Sequence, residues 1–262
     1  MTDRDSKVTA VRYVMSFWLL SWLVKFEHFR ILLARDAFDI PVFHPLFPPF
    51  FQSPWVSLAA YVTPLLGVTA LMWPRRRLVA ACALAMVICS AVMRLHINAF
   101  NDATFITCFW SGLWLLWFST ARSDAATGLH APALAQGIVA LMFLGGFLGK
   151  LTEEWWNGEV LYHYYFLQKD NFVYPWLMEN LSADTLRLTA LLFSRAAIIG
   201  EMCLSLLILV PARAGLMIAC WVMLGIVLIS TLYLLSVMGP LMGIALAGYR
   251  LAYTNRAVSG TP

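Results

Sequence analysis

The chain contains a series of apolar runs, each close to the length that an α-helix needs to cross a lipid bilayer. They cover residues 13–33, 55–73, 78–95, 104–121, 132–151, 188–210, 214–235 and 237–252. A hydrocarbon core of about 30 Å is crossed by about 20 helical residues. The sequence therefore predicts an all-α fold, a polytopic integral membrane helical bundle with about eight transmembrane helices. Gly239-Pro240 leaves open a single long, bent element in place of the last pair, so seven or nine spans remain alternatives.

Composition supports a membrane protein. Hydrophobic residues make up 61% of the 262 residues and charged residues only 12%, whereas soluble domains are about 25% charged. All five cysteines fall inside apolar runs without a C-x-x-C pair, which favours buried free thiols over a redox or metal motif. The first run lacks a small-residue cleavage site, so we expect an uncleaved anchor. Without internal repeats, residues 1–262 are predicted to form one transmembrane domain whose partner is the lipid bilayer, with no nucleic acid.

Basic residues orient the predicted spans. If the spans alternate strictly, one side of the membrane collects most arginines and lysines, and the other side collects most acids. Because basic loops stay in the cytoplasm, both termini are predicted to be cytoplasmic. The basic residues on that side are Arg4, Lys7, Arg12, Arg75, Arg76, Arg77, Arg122, Arg213, Arg250 and Arg256.

Two extracytoplasmic segments look like more than connections. Residues 35–54 hold five prolines among aromatic residues and cannot form a regular helix, so we expect them to lie on the bundle or in the membrane interface. Residues 152–187 are aromatic and mixed in charge, which indicates one or two short interfacial helices that cap the bundle on the extracytoplasmic side.

Ionisable residues inside the spans concentrate toward the same extracytoplasmic half. A charge near the bilayer centre costs about 2.5–3.5 kcal/mol on insertion scales, so such groups pair or face a cavity, and we expect one shared polar cavity. Lys25 and Arg30 have the alternative of reaching the headgroups. Glu201 is either protonated or paired with a cation such as Arg94 or Arg195. The histidines lack H-x-x-H or H-x-x-x-H spacing, so no metal is predicted. The residues of this half are Lys25, Glu27, His28, Arg30, Arg94, His96, Asn98, Asn101, Asp102, Lys150, Arg195 and Glu201.

Lys150 ends the fifth span, which is predicted to start near Pro132. It follows the glycine-rich stretch 145–149, which permits close helix packing in lipid. Two interpretations stay open. Lys150 reaches the headgroups, with Trp155 and Trp156 in the aromatic belt, or it is a desolvated, uncharged amine that acts as a base.

The pattern G-x-x-x-K-L-x-x-x-W-x-x-G, formed by Gly146, Lys150, Leu151, Trp155 and Gly158, resembles the transmembrane portion of the vitamin K-dependent gamma-glutamyl carboxylases. This portion, the horizontally transferred transmembrane domain (HTTM), also occurs in many bacterial proteins. The resemblance implies a quinone cofactor of the menaquinone or vitamin K type and a location in a bacterial inner membrane, with the site facing the periplasm. It implies Lys150 as the base, oriented by Asn101 and Asp102, the latter standing where the carboxylases carry a histidine. The pocket would be lined by Arg94, His96, His163, Glu201, Trp155, Trp156, Tyr162, Tyr164 and Tyr165.

Three functions remain open. The first is a membrane oxidoreductase or carboxylase-like enzyme that uses a quinone. The second is a non-catalytic membrane subunit or assembly factor that binds another membrane or periplasmic protein, because DoxX- and MauE-type proteins similarly have a glycine-rich span end that meets a lysine. The third is a small-molecule transporter, which is disfavoured because no inverted repeat or pair of broken helices is visible.

Overall fold

A computed structural model describes residues 3–25, 55, 58–59, 62–95, 103–121, 124–166, 173–229 and 233–259. Within these ranges the fold is all-helical. Short 3₁₀ turns precede α2, at Thr63–Leu66, and follow α8, at Leu206–Leu209, and a π-helical turn spans Leu161–Phe166. The α-helices are α1 (Asp3–Val24), α2 (Gly67–Met72), α3 (Arg76–Leu95), α4 (Ala103–Thr120), α5 (Asp124–Gly149), α6 (Glu153–Trp156), α7 (Tyr174–Asn180), α8 (Ala183–Ser205), α9 (Ala212–Ile229) and α10 (Leu234–Ser259).

Six helices in the described part of the chain are long and apolar enough to cross a membrane. They are α3, α4, α5, α8 with its 3₁₀ extension, α9 and α10. The chain is therefore an integral membrane protein. The predicted spans 13–33 and 55–73 are described only in part, as α1 and as the turn that leads into α2.

The fifth predicted span, 132–151, agrees closely with the candidate span His130–Gly149. Pro132 is not in the first turn of its helix, however, because α5 begins at Asp124 and carries that proline inside. A proline removes only one backbone hydrogen bond, and the long apolar segment that follows holds the helix together. The alternative of one bent element around Gly239-Pro240 is wrong, because α9 ends at Ile229 and α10 runs unbroken through Pro240.

Helix α10 is the centre of the bundle, and 67% of its apolar window is buried, more than in the other five candidate spans of the described residues. Glycines let α1 approach it closely. A Cβ atom at Gly243 would lie 3.1 Å from the Cβ of Phe17, and one at Gly239 would lie 3.3 Å from the Phe17 carbonyl oxygen. This small-xxx-small pattern is the one that allows helix backbones to meet in lipid.

Contacts across the bundle show which helix ends lie together. Ser6 of α1 hydrogen-bonds to Thr254 of α10 at 2.9 Å, and Arg213 at the start of α9 lies over the ring of Tyr253. At the opposite end, Lys25 donates to the hydroxyl of Tyr233. The first residues of α1 and the last turns of α10 thus share one end of the bundle.

A separate cap covers the other end. Its described residues, 151–166 and 173–180, comprise α6, the π-helical turn and α7. They pack on the first half of α8 through a small apolar cluster distinct from the main core. The buried members of this cluster are Leu161, Phe166, Tyr174, Leu177, Leu186 and Ala190. The predicted short helices of residues 152–187 therefore exist, and α8 connects the cap with the bundle.

Four of the five cysteines are buried free thiols, as the sequence predicts. Cys203 is the exception, because it is exposed on α8.

Candidate functional site

Lys150 and Glu201 form an ion pair between α5 and α8. The Lys150 Nζ lies 2.8 Å from both carboxylate oxygens of Glu201. The two side chains are 21% and 15% exposed, so the pair is sheltered but accessible. Each charge compensates the other, so neither must be neutral for the pair to lie in the bundle. The Lys150 Nζ also contacts the carbonyl oxygen of Gly146 at 3.5 Å.

The geometry of α5 explains why the two charges meet. Gly146 and Lys150 are four residues apart and therefore share one face of the helix. A Cβ atom at Gly146 would lie 2.9 Å from the Oε2 of Glu201, so only a glycine leaves room for that carboxylate. Gly145 and Gly149 face open space, with nothing within 4 Å of a Cβ built on either. The close packing expected of the glycine stretch is thus confirmed at Gly146 alone.

The cap places two tryptophans beside the pair. The Lys150 Nζ lies 5.1 Å from the ring centroid of Trp155, within the range of a cation–π contact. The backbone of Trp155 is fixed to α8, because its carbonyl oxygen accepts a hydrogen bond from the buried Ser194 hydroxyl. Trp156 lies next to Arg195, whose guanidinium is 5.1 Å from its ring centroid. The cap therefore contacts both helices of the ion pair, through Trp155 on Lys150 and through Trp156 on Arg195 of α8.

A shallow depression opens beside the same segment. It has a volume of about 290 Å³ and is lined by Leu151, Thr152, Glu153 and Trp156. Its lining combines an apolar side chain, an indole ring and a carboxylate.

The other predicted site residues are dispersed. His163 lies on the half-exposed outer side of the π-helical turn, with its Nε2 3.0 Å from the Oε2 of Glu159. Tyr162 packs on the cap cluster, and its ring faces Arg187 at 5.4 Å. Neither makes a hydrogen bond or ion pair with Lys150 among the described residues. Arg94 is partly buried in the last turn of α3.

Several predicted residues lie outside the described parts of the chain. They are His96, Asn101 and Asp102, together with Glu27, His28, Arg30 and Asn98 and the proline-rich segment 35–54. The side chains of Tyr164 and Tyr165 also fall outside the description. Among the residues that are described, no three His, Cys, Asp or Glu side chains gather as a metal-binding group would require.

Lys25 does not reach outward as one interpretation of the sequence had it. Its side chain is completely buried and donates to the Tyr233 hydroxyl between α1 and α10. A buried polar group costs free energy unless it is hydrogen-bonded, and the neighbouring Ser236 and Thr104 hydroxyls, 2.9 Å apart, continue this polar layer. The layer lies at the Tyr233 end of the bundle.

The partner of Glu201 differs from the expected Arg94 or Arg195. Arg195 instead donates its Nε–H to the Trp156 carbonyl oxygen at 3.3 Å, because residues six apart on a helix point in very different directions. The pairing of Lys150 with Glu201 was missed because the two residues are 51 positions apart. The sequence does indicate which face of α5 meets a neighbouring helix, since Gly146 and Lys150 are four residues apart and lie on that face.

No protein-family model, no curated protein and no solved structure matches this chain.

Proposed function

We propose that this integral membrane protein is a carboxylase- or oxidoreductase-like enzyme that exchanges protons with a lipid-soluble quinone at the Lys150–Glu201 pair. The observation that supports this is the pair itself, with ammonium and carboxylate 2.8 Å apart and each side chain partly exposed. Ionisable residues within membrane helices mark functional sites by default, because their burial is costly.

The pair supplies the base that the chemistry needs. Lys150 is a base only after it loses a proton, and Glu201 lies within hydrogen-bonding distance to accept that proton. Transfer inside the pair gives a neutral amine and a carboxylic acid and moves no net charge into the membrane. With a quinol bound, the neutral amine of Lys150 would be the group that removes a hydroxyl proton and becomes an ammonium. Glu201 is thus assigned a role beside Lys150 rather than one in lining the pocket.

The quinone ring would lie against the indoles of Trp155 and Trp156 and in the neighbouring depression. The choice of a menaquinone-like compound follows the resemblance to the HTTM portion of the gamma-glutamyl carboxylases, in which the residue that matches Lys150 is the base. Asn101 and Asp102 remain the proposed orienting residues. The basic residues predict that the opposite end of the bundle is cytoplasmic, so the site would face the periplasm of a bacterial inner membrane, with the cap at the interface.

A second function has its own supporting observation. Helix α8 is the least buried of the candidate spans in the described residues, with 17% of its apolar window covered. A helix so exposed offers a surface to another membrane protein, and the ion pair would then hold α5 to α8 as a structural contact. In this case the chain is a non-catalytic subunit or assembly factor of a larger redox or maturation complex.

Variants that remove or exchange the charges of Lys150 and Glu201 distinguish the enzyme from the non-catalytic subunit. The protein is reconstituted in nanodiscs, binding of a menaquinone analogue is measured by quenching of tryptophan fluorescence, and quinol consumption is measured with oxygen and bicarbonate present. For the enzyme, Lys150→Gln and Glu201→Gln each abolish quinol consumption. The double variant Lys150→Glu/Glu201→Lys restores the thermal midpoint but not turnover, because an ion pair is symmetric and a positioned base is not.

Arg187→Gln is the matched control, because it removes a cation that contacts an aromatic ring of the same cap without touching the pair. Unchanged quinol consumption in either single variant, or recovery of full turnover in the exchanged variant, would contradict the catalytic role. A stoichiometric partner that co-purifies with the wild type and with Lys150→Gln alike would support the subunit instead.

A further inference from the structure

Arg195 is a cation inside a membrane helix and forms no ion pair with a carboxylate in the described part of the chain. It lies within the apolar segment Ala183–Leu209. Its contacts with described residues are a hydrogen bond from Nε to the Trp156 carbonyl oxygen and the face of the Trp156 ring. The nearest acid on the same helix, Glu201, lies six residues further along and is engaged by Lys150. An arginine in a membrane requires a counter-charge or a polar environment.

The contacts fix the direction of the guanidinium group. Arginine carries five N–H donors in a planar fork, and Trp156 engages only the one on Nε. The terminal amino groups make no hydrogen bond to the described residues. A planar fork of this kind matches the two oxygens of a phosphate.

The depth of Arg195 also fits a headgroup. The apolar window of α5, His130–Gly149, has 20 residues, which at about 1.5 Å per residue cover the about 30 Å of a bilayer core. Residues after Gly149 therefore lie at its boundary. Trp156 belongs to this level, and Arg195 contacts it. Tryptophan is enriched at this depth because its ring is apolar and its N–H is polar.

An apolar stripe continues from Arg195 along α8. Leu192, Ile199 and Met202 are all exposed. At about 100° per residue these positions and Arg195 fall within an arc of about 80°, so they form one face of the helix. From Arg195 to Met202 the stripe runs about 10 Å toward the membrane centre, along the path of an acyl chain below a headgroup.

We infer that Arg195, Trp156 and the Ile199–Met202 face bind an anionic glycerophospholipid, with the phosphate on the guanidinium and an acyl chain on the stripe. The occupant is a lipid rather than a soluble anion because the apolar stripe continues directly from the cation. It is anionic because the group that would hold the headgroup is a cation, and the next carboxylate along α8, that of Glu201, is engaged by Lys150. The inference uses neither Lys150 nor Glu201, and it shares only Trp156 with the quinone proposal. Loss of lipid retention in Arg195→Gln is therefore distinguishable from loss of quinol consumption in Lys150→Gln.

The test measures retained lipid. The protein is reconstituted in nanodiscs with equal amounts of phosphatidylglycerol and phosphatidylcholine, released in mild detergent and examined by native mass spectrometry. The wild type is expected to retain phosphatidylglycerol preferentially. Arg195→Gln is expected to weaken that retention about tenfold, since hydrogen bonds to a charged group contribute about 1.5–3 kcal/mol. Arg195→Lys is expected to lie between, because a point charge replaces a fork.

Arg187→Gln is again the matched control, since Arg187 is also on α8 and also faces a ring of the cap, but it contacts Tyr162 rather than Trp156 and lies about 12 Å from Arg195 along the helix. Its phosphatidylglycerol retention should match the wild type. An equal loss of phosphatidylglycerol retention in both variants would indicate general attraction by positive charge and would contradict the proposed site. A wild type that retains both lipids equally would contradict it as well. Inorganic phosphate that displaces the lipid at millimolar concentration would assign the site to a soluble anion. Thermal unfolding in phosphatidylcholine alone shows whether Arg195→Gln folds normally.

Discussion

Gly146 lies directly beneath the carboxylate of Glu201. A Cβ atom at this position would stand 2.9 Å from Oε2 and 3.1 Å from Cδ. Lys150 follows one turn later on the same face of α5 and contacts both oxygens of that carboxylate. Because Gly146 has no side chain, it leaves room for the Glu201 carboxylate. The contact between α5 and α8 and the proposed proton exchange at Lys150 therefore both depend on this position.

Gly146→Ala is therefore expected to separate the ion pair. The methyl group forces the carboxylate away from Lys150, and we expect a loss of about 1 kcal/mol in stability although alanine is the better helix former. Gly145→Ala is the control, because nothing lies within 4 Å of its Cβ, and it should instead gain about 0.5–1 kcal/mol. Unfolding midpoints in detergent compare the two variants. Equal gains in both would show that Gly146 does not support the pair.

Gly158→Ala is expected to displace the cap from α8. Gly158 has a φ angle of +79°, which L-residues rarely adopt, and a Cβ there would lie 2.6 Å from the Cα of Leu191. Since the obstacle is backbone, neither side can yield, and we expect a cost of about 2 kcal/mol or more from strain and lost packing. Limited proteolysis of the cap and the thermal midpoint report the effect.

Gly200→Ala is the matched control for this change, because Gly200 lies on α8 with open space at its Cβ. It should leave the cap resistant to protease. If Gly158→Ala behaves like this control, the cap is not seated on α8 through residue 158.

The sequence predicts best the helices whose length is determined by the thickness of the bilayer. Runs of apolar residues gave six of the helices, since a span must be long enough to satisfy its backbone internally. It also marked Lys150 as unusual, and the glycines before it as a packing surface. The partner of Lys150 was not predictable in the same way, because hydropathy does not specify how α8 is rotated against α5. The sequence indicates that Glu201 is an acid within a span, where burial of its charge costs free energy. The cations expected as its partners are Arg94 of α3 and Arg195 of α8, not Lys150.

Arg76→Gln is expected to loosen the contact between the first turn of α3 and the end of α4. The Arg76 guanidinium donates to the carbonyl oxygens of Ser119 at 2.7 Å and Thr120 at 3.0 Å, and also to that of Ala121. These carbonyls end α4, where they have no partner within the helix and where a cation is favoured. We expect a loss of about 1–2 kcal/mol, measured as a lower unfolding midpoint.

The neighbouring Arg77 serves as the control. It is exposed and makes no hydrogen bond with the described residues, so Arg77→Gln should change the midpoint little. A similar loss in both variants would mean that net charge at this end, rather than the capping of α4, controls stability.

Thr152 caps α6, and its hydroxyl is expected to tune the neighbouring Glu154. Its oxygen accepts a hydrogen bond from the Trp155 backbone N–H at 3.4 Å. The backbone N–H of Glu154, and then the Thr152 hydroxyl, hold the pKa of the exposed Glu154 carboxyl below its usual range. Because folding lowers the pKa of Glu154, this contact stabilises α6 at pH values above the unfolded-state pKa. The stabilisation is lost as the pH falls through the lower pKa of the folded state.

Thr152→Ala should raise the pKa of Glu154 part of the way back, since the backbone donor remains, whereas Thr152→Ser should leave it unchanged. Carbon-13 NMR of the glutamate carboxyls, assigned with Glu154→Gln, measures the shift, and a pKa that does not move in Thr152→Ala would exclude the hydroxyl as a donor to this carboxylate.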